Sequence, residues 1–243
     1  MVDSAPRRPV PAQAATLDRL WLRDPIFISD LHLCAHRART LQRFFDLLQD
    51  IAGRAAELVI LGDLFEYWAG DDTLLSSARA SAATEGADDD LVGQRVAQAL
   101  RRLSERGTAV YLMQGNRDVL LGTEFLEQSG ARLLADPTVA SIDTCGAPDQ
   151  AVLTTLLSHG DAYCTLDLPY QAFRRQARNA QFQGMFLSQP LAQRRKLIGQ
   201  ARERSEASKQ QTSTQIMDVT PAAIDEALRS AGVRHMIHGH THR

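Results

Sequence analysis

The 243-residue chain holds only three cysteines, Cys34, Cys145 and Cys164, and no Cys-x-x-Cys pair. An odd number at no metal-like spacing excludes a disulfide scaffold and a thiolate zinc site, and suits a reducing cytosol. Long hydrophobic runs are also missing. Residues 1–24 carry Pro6, Pro9 and Pro11 in an Ala-rich stretch, with no apolar segment long enough for a signal peptide or a membrane span, and read as a loose N-terminal extension. The formal net charge is only −2, which leaves no overall basic surface and argues against a nucleic-acid partner. No internal repeat is visible. What remains is a 44% hydrophobic chain, enough for one sizeable core with a small appended subdomain.

The informative feature is a set of five polar clusters. They are Asp30-Leu31-His32, Gly62-Asp63, Gly115-Asn116-Arg117-Asp118, Ser158-His159-Gly160 and Gly239-His240-Thr241-His242. Each follows a short apolar run: 26–28, 58–61, 110–113, 153–157 and 236–237. Such runs separated by helical stretches read as buried strands of an α/β protein, in which ligand-binding groups lie just past the carboxyl ends of strands. Seven ligands, Asp30, His32, Asp63, Asn116, His159, His240 and His242, are therefore expected to converge on one edge of one sheet. Side chains alternate along an extended segment, which places Asp30 with His32, and His240 with His242, on a common side.

Between the clusters, Leu41, Phe44, Phe45, Leu48 and Ile51 fall at helical spacing within 40–52, and a second helical period runs over 91–106 before Gly107. Residues 76–90, small and acidic, read as an exposed connecting loop. Strand-like pieces at 139–142 and 152–157 flank Gly146 and Pro148 as a hairpin, so the sheet system is not purely parallel. From about 167 to 215 the strands disappear. Asp167 and Pro169 signal a helix start, and Pro190 divides this helical insert in two. Within 167–217 there are nine Lys or Arg against three acids, six positive charges net on a chain that is negative overall. Basic amphipathic helices favour an anionic membrane surface or an amphiphilic anion; the plainer reading is a solvated lid packing its apolar side on the body.

Two Asp, one Asn and several His without thiolate form a ligand set that suits Mn²⁺, Fe²⁺ or Zn²⁺. Seven ligands exceed what one ion takes from protein, so a two-metal site sharing a carboxylate is the economical arrangement, with Asp63 as the bridge. Asn116 offers a neutral carbonyl oxygen. His36 and His235 read as surface groups, His238 as a strand-end hydrogen-bonding residue, Cys34 and Cys164 as structural, and Tyr67 and Trp68 as packing residues.

The ordered pattern Asp-x-His, Gly-Asp, Gly-Asn, His-Gly and Gly-His-x-His resembles the calcineurin-like metallophosphoesterase superfamily from about Ile26 to Arg243. More narrowly, the segments 27–33, 62–72, 115–118, 159–161, 170–174, 216–219 and 237–243 resemble the UDP-2,3-diacylglucosamine hydrolase family of lipid A synthesis. The resemblance implies an αββα sandwich flanked by helices with a helical lid insertion. It implies cleavage of a doubly acylated UDP-sugar to UMP and 2,3-diacylglucosamine 1-phosphate, with two Mn²⁺ or other divalent ions supplying the attacking hydroxide. Carried over by position, Asp30, His32, Asp63 and His242 hold one ion, and Asp63, Asn116, His159 and His240 the other. Substrate contacts are implied for Asn116, Arg117, His240 and, in the insert, Asp167, Ser205 and Lys209; Thr212 stands where a second lysine is expected. A cytoplasmic monomer, peripheral on the inner face of the inner membrane, is the implied setting.

Arg117 carries chemical information of its own. Many members of the superfamily place a histidine after this Asn, where it can protonate a poor alkoxide leaving group. Cleaving a phosphoanhydride expels a phosphate oxyanion, which needs little acid help, and a guanidinium there can grip phosphate bidentately. The residue thus favours an anhydride substrate; its plain alternative is a surface arginine. Two other readings stay open: a metallophosphoesterase for another nucleotide anhydride or phosphodiester, and a noncatalytic metal- or lipid-binding protein. The latter draws on the stop at Arg243, directly after the last histidines, where strands covering the final sheet are expected to be missing from the given sequence.

Overall fold

The computed structural model describes residues 19–76, 87–143, 152–209 and 218–242. Its strands form two four-stranded sheets. One is parallel throughout and takes β2 (Ile26–Ile28), β3 (Glu57–Leu61), β4 (Ala109–Met113) and β5 (Arg132–Leu134) in that order. The other runs β1 (Arg19–Arg23), β6 (Thr138–Asp143), β7 (Val152–Ser158), β8 (His235–His238), with β6 and β7 antiparallel and the remaining pairs parallel.

Alternation along the strands explains the layering. In β3, Leu58 and Ile60 face α1 (Ala38–Ile51) and α3 (Ala87–Glu105), which lies between the short α2 (Thr73–Ser76) and α4 (Thr123–Ser129) in the chain, joining Leu41, Phe44, Leu48, Val96 and Leu100, while Val59 and Leu61 face the second sheet through Leu22, Ile142 and Leu157. A strand buried on both faces must be apolar at every position, which is why 58–61 reads as an uninterrupted run. On the outer face of the second sheet, Val139 and Leu156 meet Leu228 and Ala231 of α8 (Pro221–Ala231). The result is the expected αββα sandwich.

Three sequence expectations are corrected. The clusters converge from two sheets rather than one, because a doubly buried apolar run looks the same in either. The N-terminal extension is not loose up to residue 24: 19–23 pair with β6 as an edge strand, hidden in the sequence by its short length and an exposed Trp21. Residues 87–90, read as part of a connecting loop, open α3 instead, where Asp88, Asp89 and Asp90 sit at the positive end of the helix dipole. The hairpin turn at Gly146 and Pro148 lies outside the described residues.

The insert folds as α5 (Leu168–Ala177), α6 (Ala180–Leu187) and α7 (Leu191–Lys209), with Asp167 Oδ1 accepting from Tyr170 N–H at 3.0 Å as the N-cap. Its basic residues mostly face inward. Arg174 and Arg178 reach Asp161 and Asp136, Arg194 pairs with Asp72, Arg195 with Asp90, and Arg202 with Glu66. Arg194 is 2% exposed and also donates to the Ala69 carbonyl. Five of the nine cations therefore hold the insert onto acids of the body, and the cationic face inferred from composition shrinks accordingly.

Candidate active site

The loops after β2, β3, β4, β7 and β8 bring the seven expected ligands together, but not by strand alternation. Asp30, His32, Asp63, His240 and His242 all have positive φ, between 49° and 72°, and among the described residues only one other non-glycine residue, Asp24, does. Left-handed backbone costs an ordinary side chain roughly 1–2 kcal/mol, and such residues cluster where structure holds them for function. The ligands after β2, β3 and β8 are thus turned inward by left-handed backbone, while Asn116 after β4 and His159 after β7 arrive without it. Crowding makes glycine obligatory beside them: a Cβ on Gly62, itself at φ +88°, would lie 2.6 Å from His159 Nδ1.

Two triads result, Asp30 with His32 and His242, and Asp63 with His159 and His240, each with one donor atom per residue within 4.8 Å of the others. Asp63 lies between them. Its Oδ2 is 3.9 Å from His32 Nε2 and its Oδ1 is 3.8 Å from His159 Nε2, so one carboxylate faces a histidine of each triad. Asn116 Oδ1 is 3.1 Å from the same His159 nitrogen, and His159 Nδ1–H donates to the Leu61 carbonyl at 2.9 Å, which aims Nε2 at the cluster. His32 Nε2 and His242 Nε2 lie 3.3 Å apart in parallel rings. Asp30 Oδ2 accepts from His240 N–H at 2.7 Å, while Asp30 Oδ1 is buried without a hydrogen-bond partner, 3.8 Å from His242 Nε2.

The calcineurin-like phosphoesterase family matches residues 26–243, which span every one of these turns. The chain belongs to that family. It is 44% identical to the UDP-2,3-diacylglucosamine hydrolase of Cellvibrio japonicus over 90% of this chain and 81% of that protein. The enzymes of the same name from Aromatoleum aromaticum and Chromobacterium violaceum are 44% and 46% identical, over 90% and 89% of this chain and 80% and 82% of theirs.

The donor set of this phosphoesterase fits divalent cations. Burial, with Arg117 beside it, pushes His32 down to about 4, and burial followed by His159 does the same to His240, so both imidazoles are neutral with a lone pair to give at pH 7. Burial pushes the Asp63 carboxyl up to about 7 even with His159 opposing. Burial would lower His159, yet Asp63 and Asp161 outweigh it and hold it above the ordinary histidine value. A cation would replace the protons that Asp63 and His159 otherwise share. By contrast, burial pushes the Cys164 thiol up to about 12, which keeps it out of ligation.

A pH dependence follows. Between its ordinary value of 3.8 and about 7, Asp63 holds a proton in the folded, metal-free chain that the unfolded chain has lost, so this group's contribution to stability falls as pH rises through that window. A bound divalent ion removes the penalty by displacing the protons of Asp63 and His159, whereas His32 and His240, already neutral in the folded chain above about pH 5, have no proton to give up on metal uptake. Thermal stabilisation by added Mn²⁺ is therefore expected to grow from pH 5 to pH 8 in differential scanning fluorimetry; a pH-independent stabilisation contradicts it.

Among the expected substrate-binding residues, Arg117 is half-buried beside the cluster, its N–H donating to Asp63 Oδ1 at 2.8 Å and its Nη1 3.5 Å from Glu66 Oε1. Asp167 caps α5, a structural task for one of its oxygens. Ser205 and Lys209 lie on α7, with side chains outside the described residues, as is Thr212 entirely. His36 and His235 are exposed, His238 Nδ1–H donates to the Gly239 carbonyl at 2.8 Å, and Trp68 packs on Phe65 and Phe125.

Supporting carboxylates escaped the sequence reading. Asp118 is fully buried and accepts from four backbone N–H groups, those of Gly115 (2.8 Å), Asp63 (3.3 Å), Leu64 (2.7 Å) and Phe65 (3.3 Å), tying the β3 and β4 loops together. Asp136 accepts from Ser158 Oγ–H at 2.6 Å and His159 N–H at 3.2 Å. Asp161 accepts from Tyr170 Oη–H at 2.9 Å, and the Tyr170 ring stacks on His240 at 5.7 Å, so α5 is seated directly against the cluster. Asp118 and Asp161 stand in the motifs, three and two residues after Gly115 and His159; their buried surroundings are set by partners far away in sequence.

Proposed function

We propose that this chain hydrolyses the pyrophosphate bond of UDP-2,3-diacylglucosamine, releasing UMP and 2,3-diacylglucosamine 1-phosphate, with two Mn²⁺ ions as its working metals. The observation that carries the reading is the placement of Asp63 between the two triads, in a chain 44% identical over 90% of its length to a hydrolase of that name. Asp30, His32, Asp63 and His242 would hold one ion, and Asp63, Asn116, His159 and His240 the other. Such a pair, when bound, supplies ionised water at neutral pH and positive charge against a diphosphate.

The chain's own residues do the rest. Arg117, half-buried beside Asn116, grips a phosphate oxygen, and an anhydride needs no proton donor for its phosphate leaving group. His240, held by Asp30 through its backbone and by Tyr170 through its ring, fixes the far side of the phosphate. Asp167, Ser205, Lys209 and Thr212 stand where the insert would meet the sugar and its phosphate. Acyl chains have apolar surface to use: Leu168, Phe173, Met185 and Leu187 of the insert and Leu166 just before it are all exposed, and Phe173 also lines a shallow depression with Asn116 and Tyr170.

No helix among the described residues is long and apolar enough to cross a membrane. Contact with the inner face of an anionic inner membrane would rest on these apolar side chains more than on charge, because the arginines beneath them are paired. A cytoplasmic monomer that does not bind nucleic acid completes the reading.

Mn²⁺-dependent hydrolysis of the acylated UDP-sugar beside its deacylated analogue tests the assignment. Burying acyl methylenes at about 0.8 kcal/mol each allows a preference in kcat/KM of at least about 100-fold for the acylated substrate. Equal rates contradict it and favour a phosphoesterase for small nucleotides.

A further inference from the structure

Glu66 belongs to no expected site, yet it lies at a junction of four elements. Its side chain is buried, and its two oxygens face different partners. Oε2 is 3.7 Å from His32 Nδ1 and 3.5 Å from Arg37 Nη2 at the start of α1. Oε1 accepts from Arg202 Nη2–H on α7 at 2.6 Å and stands 3.5 Å from Arg117 Nη1. His32 Nδ1 is buried and has no hydrogen-bond partner, while its Nε2 faces Asp63 and His242. An imidazole that ligates through one nitrogen is commonly oriented by a carboxylate at the other, and losing that partner weakens metal affinity about 10–100-fold.

We propose that Glu66 is a positioning residue, holding the His32 ring for ligation from its Nδ1 side while setting the Arg117 guanidinium from its other oxygen. This rests on the metal-dependent reading above. One buried carboxylate then couples the first metal triad to the residue that grips phosphate, and Arg202 ties the seat of α7 to both. A mere tether for α7 would need only the Arg202 contact, so the His32 approach separates the two roles.

Isothermal titration calorimetry of the full chain with Mn²⁺ alone, without substrate, tests this. Glu66→Gln is expected to weaken one of the two binding events about tenfold or more and leave the other unchanged. Glu66→Asp, which keeps the charge, gives a smaller loss in the same event and serves the comparison if the glutamine variant fails to fold. Arg202→Gln, which removes only the helix contact, leaves both events at the wild-type affinity. The proposal is overturned if folded Glu66→Gln binds both ions as the wild type does, if Arg202→Gln reproduces the loss, or if the wild type takes up no ion. Because no substrate is present, a wild type that binds two ions but spares the UDP-sugar would sink the assigned activity and leave the role of Glu66 intact.

Discussion

Replacing Asp63 by Asn is expected to lower turnover of the acylated UDP-sugar by at least about 10³-fold, or 4 kcal/mol of transition-state stabilisation, while leaving the fold intact. The asymmetry between those outcomes is the point. Asparagine keeps an oxygen to accept the Arg117 N–H and loses only the charge, which is the part that two cations share. Since burial already pushes Asp63 up to about 7, a neutral side chain there should make the metal-free chain as stable as the wild type or more so at pH 8. Steady-state turnover and thermal melting of the same preparation check both halves. A variant that keeps most of its activity, or one that is inactive only because it is unfolded, contradicts the assigned role.

Asp118→Ala is expected to do the opposite, acting first on stability. Four buried backbone N–H groups lose their acceptor at once. Water does not readily reach a fully buried position, so the cost is about 3–5 kcal/mol, toward the upper end for a single substitution. For a chain of this size that is a melting shift of roughly 8–15 °C. Activity should fall with it, because the N–H groups held by Asp118 include that of Asp63 itself. A melting shift under about 2 °C would mean that the β3 and β4 loops hold each other without this carboxylate.

The contrast between these two aspartates shows what sequence makes visible. Asp63 follows an apolar run and a glycine, and strand-end placement is enough to mark it. The helical insert was legible for similar reasons, since Asp167 with Pro169 and then Pro190 punctuate it locally. The partners of Asp118, Asp161 and Glu66 are fixed by tertiary contact: Glu66 meets Arg202 across 136 residues and Asp90 meets Arg195 across 105, so charges that composition counts as a solvated face are spent on docking. Backbone conformation was equally hidden. Alternation in an extended strand pairs Asp30 with His32 for the wrong reason and pairs His240 with His242 wrongly: left-handed turns set all four, and they send His242 to the Asp30 triad and His240 to the Asp63 triad.

All of this depends on side chains from five loops and two sheets enclosing a pair of cations with one carboxylate between them. Counting bound Mn²⁺ per chain by native mass spectrometry, wild type beside Asp63→Asn, tests that most directly. Two ions on the wild type and one or none on the variant is the result the geometry predicts; a wild type that binds none, or a variant that keeps two as firmly, contradicts it.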